Sequence, residues 1–244
     1  MKLKFTFVSI FILSITSLLG AGFPASYYEI KNIKKQKEFF LTHLYDLVEN
    51  ENIQILKDRR VVQNTLSSNI FKINYNSKHF PTLLKLKKKY RIKSIFSLQE
   101  FLKKVDIVPP SLALAQAAVE SGWGKSRFVK EANNIFGHWT YGKKGIIPQN
   151  RDEEKKHKIR IFSSLQNSIK AYMLNLNSNR AYHLFRQKRL ELRQTNLPPT
   201  GSKLSQTMEN YSGIGKKYLK LLTTLITRQK LSRFDSKFFN KLNI

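Results

Sequence analysis

The chain has 244 residues, of which 41% are hydrophobic, enough for one sizeable core. The absence of cysteine excludes disulfide bonds, a thiol nucleophile, Cys-ligated zinc and a lipid anchor on cysteine. The 44 Lys and Arg residues against 16 Asp and Glu residues give a net charge of +28, which favours an anionic partner or surface.

Residues 1–25 have the pattern of a signal peptide. Lys2 and Lys4 precede an apolar run from Phe5 to Leu19, and small residues follow it. The run is short for a helix that spans a bilayer. We expect export to the periplasm or cell envelope, with cleavage between Ala21 and Ala25. Retention as an uncleaved N-terminal anchor is the alternative.

Residues 26–105 are predicted to form a helical N-terminal region. Apolar periodicity indicates a helix from Tyr27 to about Arg60, and the polar triplet Asn50–Asn52 is interpreted as an interruption. A second helix is then expected from Ile53. Two shorter helices are predicted over residues 83–90 and 98–105.

The segment around residues 109–124 predicts a buried helix. Pro109–Ser111 supplies a rigid start, and Gly122 and Gly124 supply the end. The residues between are mostly Ala, Leu and Val, which suit an interior helix. Gln116 and Glu120 lie one turn apart on one face of it, so we expect both to look into a cleft.

Glu120 has the position expected of a catalytic acid. A carboxylate in the last turn faces the negative end of the helix dipole, and partial burial also disfavours its charged form. Both effects raise the pKa of the carboxyl group. A carboxylic acid that stays protonated near neutral pH is what general-acid cleavage of a glycosidic bond requires. The alternative is an ordinary last-turn glutamate that pairs with Lys125 or Arg127.

The pattern changes after Gly137. Short β-prone runs at Ile146–Ile147 and Ile159–Phe162 flank a charged segment and predict a hairpin flap. Helices are predicted to return over residues 165–177, 181–193, 203–211 and 214–230. Leu197–Gly201 (LPPTG) fits a wall-sorting motif, but the residues after it are amphipathic, so we interpret it as a loop. Residues 106–232 are predicted to be the catalytic domain, and residues 233–244 a C-terminal tail.

Two sequence motifs carry a resemblance to a known family. Residues 113–124 (ALAQAAVESGWG) and 133–137 (NNIFG) resemble the bacterial glucosaminidase family of peptidoglycan hydrolases. Its pattern is an Ala-rich helix that ends in Glu-Ser, followed by Asn-Asn-Leu-Phe-Gly. Weaker similarities follow in the same order, at Phe162–Ser164 with Ser168 and Tyr172, and at Tyr211–Tyr218.

The resemblance implies a fold and an activity. The implied fold is mainly α: a lysozyme-like helical domain with a small β-hairpin flap, preceded by the helical N-terminal region. The implied activity is that of an N-acetylglucosaminidase, which cleaves β-1,4 glycosidic bonds in the glycan strands of peptidoglycan.

The resemblance also implies roles for individual residues. Glu120 is the implied general acid, which protonates the bridging oxygen. The second group is either a carboxylate on the flap or the acetamido group of the substrate itself. Among the flap acids Asp152, Glu153 and Glu154, position favours Glu153, and a solvated acidic turn is the alternative. Tyr211 is carried over as an aid to the acetamido group or to sugar positioning, the alternative being a buried core tyrosine.

Six side chains are predicted to bind the glycan. The four aromatic ones would stack on sugar rings, or else pack in the core. The predicted set is Gln116, Trp123, Asn134, Phe136, Trp139 and Tyr141.

The remaining expectations concern metals and partners. The five histidines show no metal-ligand spacing, so we expect no metal and no cofactor. The basic residues are dispersed without a nucleic-acid-binding motif, so we expect no nucleic-acid partner. Peptidoglycan and anionic envelope surfaces suit the charge better, and a solvated basic face without a partner is the alternative. We expect a monomer.

Two other function classes stay open. A lytic transglycosylase also uses one glutamate at a helix end, but it leaves an anhydro-muramic product. A noncatalytic basic cell-wall-binding protein is the second alternative. The presence of Glu120, where a neutral residue would serve a binding protein equally well, argues against it.

Overall fold

The computed structural model describes residues 22–66, 78–148 and 156–243. These ranges are mainly helical, with a two-stranded antiparallel flap of β1 (Trp139–Thr140) and β2 (Lys158–Ile159). The prediction of a mainly α fold with a small β flap is confirmed. The α-helices of these ranges are α1 Ala25–Glu29, α2 Ile33–Thr65, α3 Phe80–Lys89, α4 Leu98–Lys104, α5 Pro110–Ser121, α6 Arg127–Ala132, α7 Leu165–Ser178, α8 His183–Gln194, α9 Gly201–Leu204, α10 Lys216–Arg228 and α11 Ser232–Leu242.

Helix α2 is continuous over 33 residues, so the predicted interruption at Asn50–Asn52 is wrong. Asn52 is fully buried, and its carboxamide donates to the Val108 carbonyl oxygen at 2.8 Å and accepts from the Val108 N–H at 3.0 Å. Glu51 is buried beside it. Asn52, on the inner face of α2, therefore holds the segment that leads into α5.

Helix α5 lies at the centre of the core. It packs against α2, α9, α10 and α11, and its residues from Pro110 to Ala118 are all buried. The small alanines allow these neighbours to approach closely. The predicted N-terminal region and catalytic domain share this core, since α2 also packs against α7.

Helix α11 holds the start of α5. The Asp235 carboxylate accepts hydrogen bonds from the Ser111 N–H at 2.8 Å, the Ser111 hydroxyl at 2.6 Å and the Gly201 N–H at 2.9 Å. A Cβ at position 201 would lie 2.1 Å from the Ser111 hydroxyl oxygen, so the loop requires glycine there. Residues 233–243, which the sequence predicts to be a tail, are therefore mostly a packed helix with buried phenylalanines, Phe234, Phe238 and Phe239.

A buried ionic cluster links α2, α8 and the segment before α5. Asp106 lies 3.0 Å from Arg193 and 3.8 Å from both Arg59 and Arg189. Burial alone would raise the pKa of Asp106, but the three guanidinium groups together hold it below its usual range. Three cations of this strongly basic chain are thereby held around one buried carboxylate.

The flap is built differently from the prediction. The N–H and carbonyl groups of Ile159 bond to those of Ile146 at 2.8 and 2.9 Å, but only as a single bridge. The strand that pairs with β2 is β1, at Trp139. The predicted helix over residues 203–211 is also shorter: α9 ends at Leu204, and 3-10 turns at Ser205–Thr207 and Glu209–Tyr211 follow.

The predicted signal peptide lies almost wholly outside the described residues, which begin at Gly22. Within the described ranges, no helix has both the length and the apolar character needed to cross a membrane.

Candidate active site

Glu120 lies in the last turn of α5, as the sequence predicts. Gly122 ends the helix in the left-handed conformation, with φ of 55°, and its N–H bonds to the Ala118 carbonyl oxygen. Burial raises the pKa of the half-buried Glu120 carboxyl group. Within the described ranges Glu120 forms no salt bridge, and Arg127, one of its two alternative partners, pairs with Glu131 at 3.1 Å.

A chain of hydrogen bonds leads from the core to Glu120. The Tyr172 hydroxyl donates to Gln116 Oε1 at 2.6 Å, and Gln116 Nε2 donates to the Tyr218 hydroxyl at 3.1 Å. The Tyr218 hydroxyl then donates to Glu120 Oε1 at 2.7 Å, which partly offsets the effect of burial on the pKa of Glu120. Gln116 is fully buried and bonds to Tyr172 and Tyr218, which favours a positioning role over the predicted contact with the glycan.

Tyrosines surround this chain. The Tyr211 ring stacks on the Tyr218 ring at 5.6 Å and meets the Tyr172 ring edge-on at 6.4 Å. The Tyr182 ring centroid lies 5.7 Å from that of Tyr211. Burial, followed by the charge of Glu120, raises the pKa of Tyr218 above its ordinary value of 10.0, so its hydroxyl keeps its proton as a donor.

Tyr218 and Tyr182 are the site residues that sequence reasoning missed. Tyr218 lies in the same motif as Tyr211, and the motif contains nothing that tells the two tyrosines apart. Only the packing of α10 against α5 shows that Tyr218 is the one whose hydroxyl reaches Glu120.

Asn134 and Phe136 support the site from behind. Asn134 is 1% exposed, and its carboxamide bonds to the backbone of His138 and to the Arg160 carbonyl oxygen. Phe136 stacks on Tyr172 with ring centroids 3.8 Å apart. Asn134 thus fixes the flap and Phe136 fixes Tyr172, whereas the sequence predicts that both contact the glycan.

Trp123 faces the N-terminal helices. Its ring packs on Phe40 at 5.5 Å, and the Lys37 ammonium lies 4.6 Å from the ring centroid. The Tyr27 hydroxyl donates to the Trp123 carbonyl oxygen. These contacts favour the core-packing interpretation of this tryptophan over stacking on a sugar.

The flap aromatics are available to a ligand. Trp139 is 59% exposed and Tyr141 is 79% exposed, and the Trp139 ring stacks on His157 at 4.1 Å. Trp139 also lines a cavity of about 860 Å³ between α7, the end of α3 and the flap. Glu120 is not among its lining residues.

Two further predictions concern the acidic residues of the flap and the absence of a metal site. Glu153, with its neighbours Asp152 and Glu154, lies outside the described residues. In the described ranges, no group of three His, Asp or Glu side chains could hold a metal ion.

Comparisons with known proteins identify the family of this chain. The glucosaminidase family model, described as mannosyl-glycoprotein endo-beta-N-acetylglucosaminidase, matches residues 96–231, which include Glu120 and Tyr218. Protein bax of Escherichia coli (strain K12) is 30% identical over 188 residues, which are 75% of this chain and 66% of that protein. The chain thus spans just under two thirds of that relative, and no solved structure matches it. This protein belongs to the glucosaminidase family.

Proposed function

We propose that this protein is a peptidoglycan hydrolase that cleaves β-1,4 glycosidic bonds as an N-acetylglucosaminidase, with Glu120 as its general acid. The observation that carries the proposal is the environment of Glu120. Its carboxyl group is half-buried at the end of α5, its pKa is raised by burial, and its described contacts include one fixed donor, Tyr218. A protonated acid held in one orientation suits proton transfer to a leaving oxygen.

In the proposed reaction, Glu120 gives its proton to the bridging oxygen while the bond between that oxygen and the anomeric carbon breaks. The carboxylate that remains is stabilised by the hydrogen bond from Tyr218. Water then completes the cleavage by adding its hydroxyl group to the anomeric carbon, and its proton restores the acid.

The second group is proposed in two forms. Glu153 on the flap would activate water, or the acetamido group of the substrate would assist, with Tyr211 orienting it. The pKa of Glu120 is not shifted by any acidic side chain of the described ranges, which is compatible with both forms.

The proposal extends to where the protein acts. Exported through the signal peptide, it would work as a monomer on glycan strands in the periplasm or cell envelope. The charge of +28 would hold it near anionic envelope surfaces, and nucleic acid is not an expected partner.

The test is Glu120→Gln. The variant keeps the side-chain volume and an acceptor for Tyr218 but has no proton to give, so turnover of purified peptidoglycan should fall by at least about 100-fold. Mass spectrometry should show wild-type products that end in reducing N-acetylglucosamine. Anhydro-muramic ends would assign the protein to the lytic transglycosylases, and no cleavage by the wild type would favour a wall-binding protein.

Thermal unfolding provides the control for folding. Since burial raises the pKa of Glu120 above 4.5, the folded protein loses stability as pH rises through that raised value. The melting temperature of Glu120→Gln should therefore equal or exceed that of the wild type near pH 7. The difference should vanish below about pH 4, where the carboxyl group is protonated in both states.

A further inference from the structure

A basic groove lies beside the candidate active site. It is the cavity of about 860 Å³ lined by Lys89, Arg91, Arg160 and Lys170, with Trp139 and Asn175 also in its wall. A volume of this size holds a ligand of a few residues. No Asp or Glu occurs among its described lining residues.

The charges of the basic groove are largely available. Lys89 pairs with Asp58 at 2.9 Å, but Arg91, Arg160 and Lys170 form no salt bridge within the described ranges. All three are exposed. The Arg160 guanidinium lies 4.7 Å from the Phe162 ring centroid. This contact restricts the side chain and leaves its planar set of N–H donors available on one side.

The basic groove is close to Glu120 without containing it. Asn175 in its wall hydrogen-bonds to Tyr182, and the pKa of Tyr182 is raised by burial and also by the charge of Glu120. Asn175 also follows Tyr172 by one turn of α7, and the hydrogen bonds of Tyr172 lead through Gln116 and Tyr218 to Glu120. Helix α7 therefore joins the groove wall to the surroundings of the proposed acid. A glycan chain at Glu120 would have its substituents within reach of the groove.

We propose that the basic groove binds the carboxylates of the peptide stems of peptidoglycan, so that the enzyme selects glycan strands that still carry their peptides. This inference rests on the proposed function. Stem peptides carry several carboxylates on a short chain, and Arg and Lys side chains pair with such groups through charge-assisted hydrogen bonds. A glycan strand without stem peptides offers only the single lactyl carboxylate of each muramic acid, whereas a stem presents several carboxylates to Arg91, Arg160 and Lys170.

The test compares a glycan that carries its stem peptides with a bare glycan that has no carboxylate, a β-1,4-linked oligosaccharide of N-acetylglucosamine. For the wild type, KM should be about tenfold lower for the peptide-bearing form, the product of two exposed ionic contacts of about threefold each. Arg160→Gln combined with Lys170→Gln should raise KM for that form by the same factor, leave KM for bare glycan unchanged, and leave kcat unchanged for both.

The matched control is Lys203→Gln combined with Arg228→Gln, which removes two exposed cations from α9 and α10, outside the groove. Its KM values should equal those of the wild type. An equal effect of the groove variant on both substrates, or an equal effect of the control, would overturn the inference.

A binding measurement separates this inference from the proposed function. The probe is a disaccharide with its tetrapeptide stem, used with free carboxyl groups and with those groups converted to amides. Glu120→Gln protein should bind the free acid about tenfold more tightly than the amide, and the groove variant should lose this preference. Equal affinity for the two probes would refute the inference even if the wild type cleaves peptidoglycan, whereas a clear preference would sustain it even if no cleavage occurs.

Discussion

Tyr218 sets the protonation of the proposed acid. Its hydroxyl donates to Glu120 Oε1 and is itself held by Gln116, so the donor cannot turn away without breaking a second hydrogen bond. Burial raises the pKa of Glu120, and this hydrogen bond, which favours the carboxylate, pulls it back. The pKa of Glu120 is thus raised by burial and lowered in part by its hydrogen bond with Tyr218.

Tyr218→Phe tests how this hydrogen bond affects the pKa of Glu120. Without the donor, the pKa of Glu120 rises further, so the alkaline limb of the pH–rate profile should move to higher pH. Turnover should fall by about 10-fold to 100-fold, because the carboxylate formed in the reaction loses a charge-assisted hydrogen bond. The measurement is kcat on soluble glycan across pH.

Tyr172→Phe is the control, since it loosens Gln116 but leaves the bond between Tyr218 and Glu120. Its alkaline limb should stay close to that of the wild type. Identical shifts in the two variants would mean that the whole tyrosine cluster, and not this one hydrogen bond, governs the acid.

At the scale of elements, helix α2 shows where sequence patterns stop being informative. A polar triplet inside an apolar periodicity is typical of a break, but Asn52 finds both of its partners in Val108, 56 residues away. Periodicity cannot report a partner at that distance. The boundaries of α4, α5 and α7 were predictable because their start signals, Ser97, Pro109 and Ser164, are local.

In the candidate site too, some features were predictable from neighbouring residues and others were not. The position of Glu120 follows from a helix and its glycine stop, both of which are read from neighbouring residues. The roles of Gln116 and Trp123 could not be predicted in this way, because each depends on distant side chains that pack against it. The role of Asn134 depends on backbone groups that the fold of the flap brings to it. The flap strand at Trp139 was missed because two residues carry too little β pattern to be recognised.

Asn52→Ala tests the cross-link between α2 and the entry to α5. It leaves the N–H and carbonyl of Val108 without their partner in a buried position, so the free energy of unfolding should fall by about 2–4 kcal/mol. Asn50→Ala, two residues away on the exposed side of the same helix, should change it by less than about 0.5 kcal/mol. Chemical denaturation of both variants measures the difference, and similar values would show that Asn52 contributes only helix propensity.

At the scale of the whole molecule, the first described residues are part of the fold. The Gly22 N–H donates to Asn133 Oδ1 at 2.7 Å, and Phe23 is only 4% exposed. A Cβ on Gly124 would lie 2.6 Å from the Phe23 ring, so the ring fills the space that this glycine leaves. Cleavage of the chain after Phe23, or at any later bond, would remove this ring from the core.

We therefore expect the exported protein to begin at Gly22, after a cut that follows Ala21. N-terminal sequencing of protein recovered from the envelope fraction checks this. Phe23→Ala should lower the free energy of unfolding by about 3–5 kcal/mol, whereas Pro24→Ala, at an exposed position, should have little effect. A start at Pro24 or later, or a full-length cytoplasmic product, would contradict the expectation.

The clamp at Asp235 also determines when the fold can be completed. Asp235 is 124 residues from Ser111, and the ion pair between Arg233 and Glu38 joins residues 195 apart. Contacts of such separation close long loops, whose entropy cost slows folding. While the chain is being synthesised, α5 has no acceptor for its first-turn amide until α11 has emerged. The helix that carries Glu120 thus depends, at its first turn, on a residue that is synthesised 124 positions later.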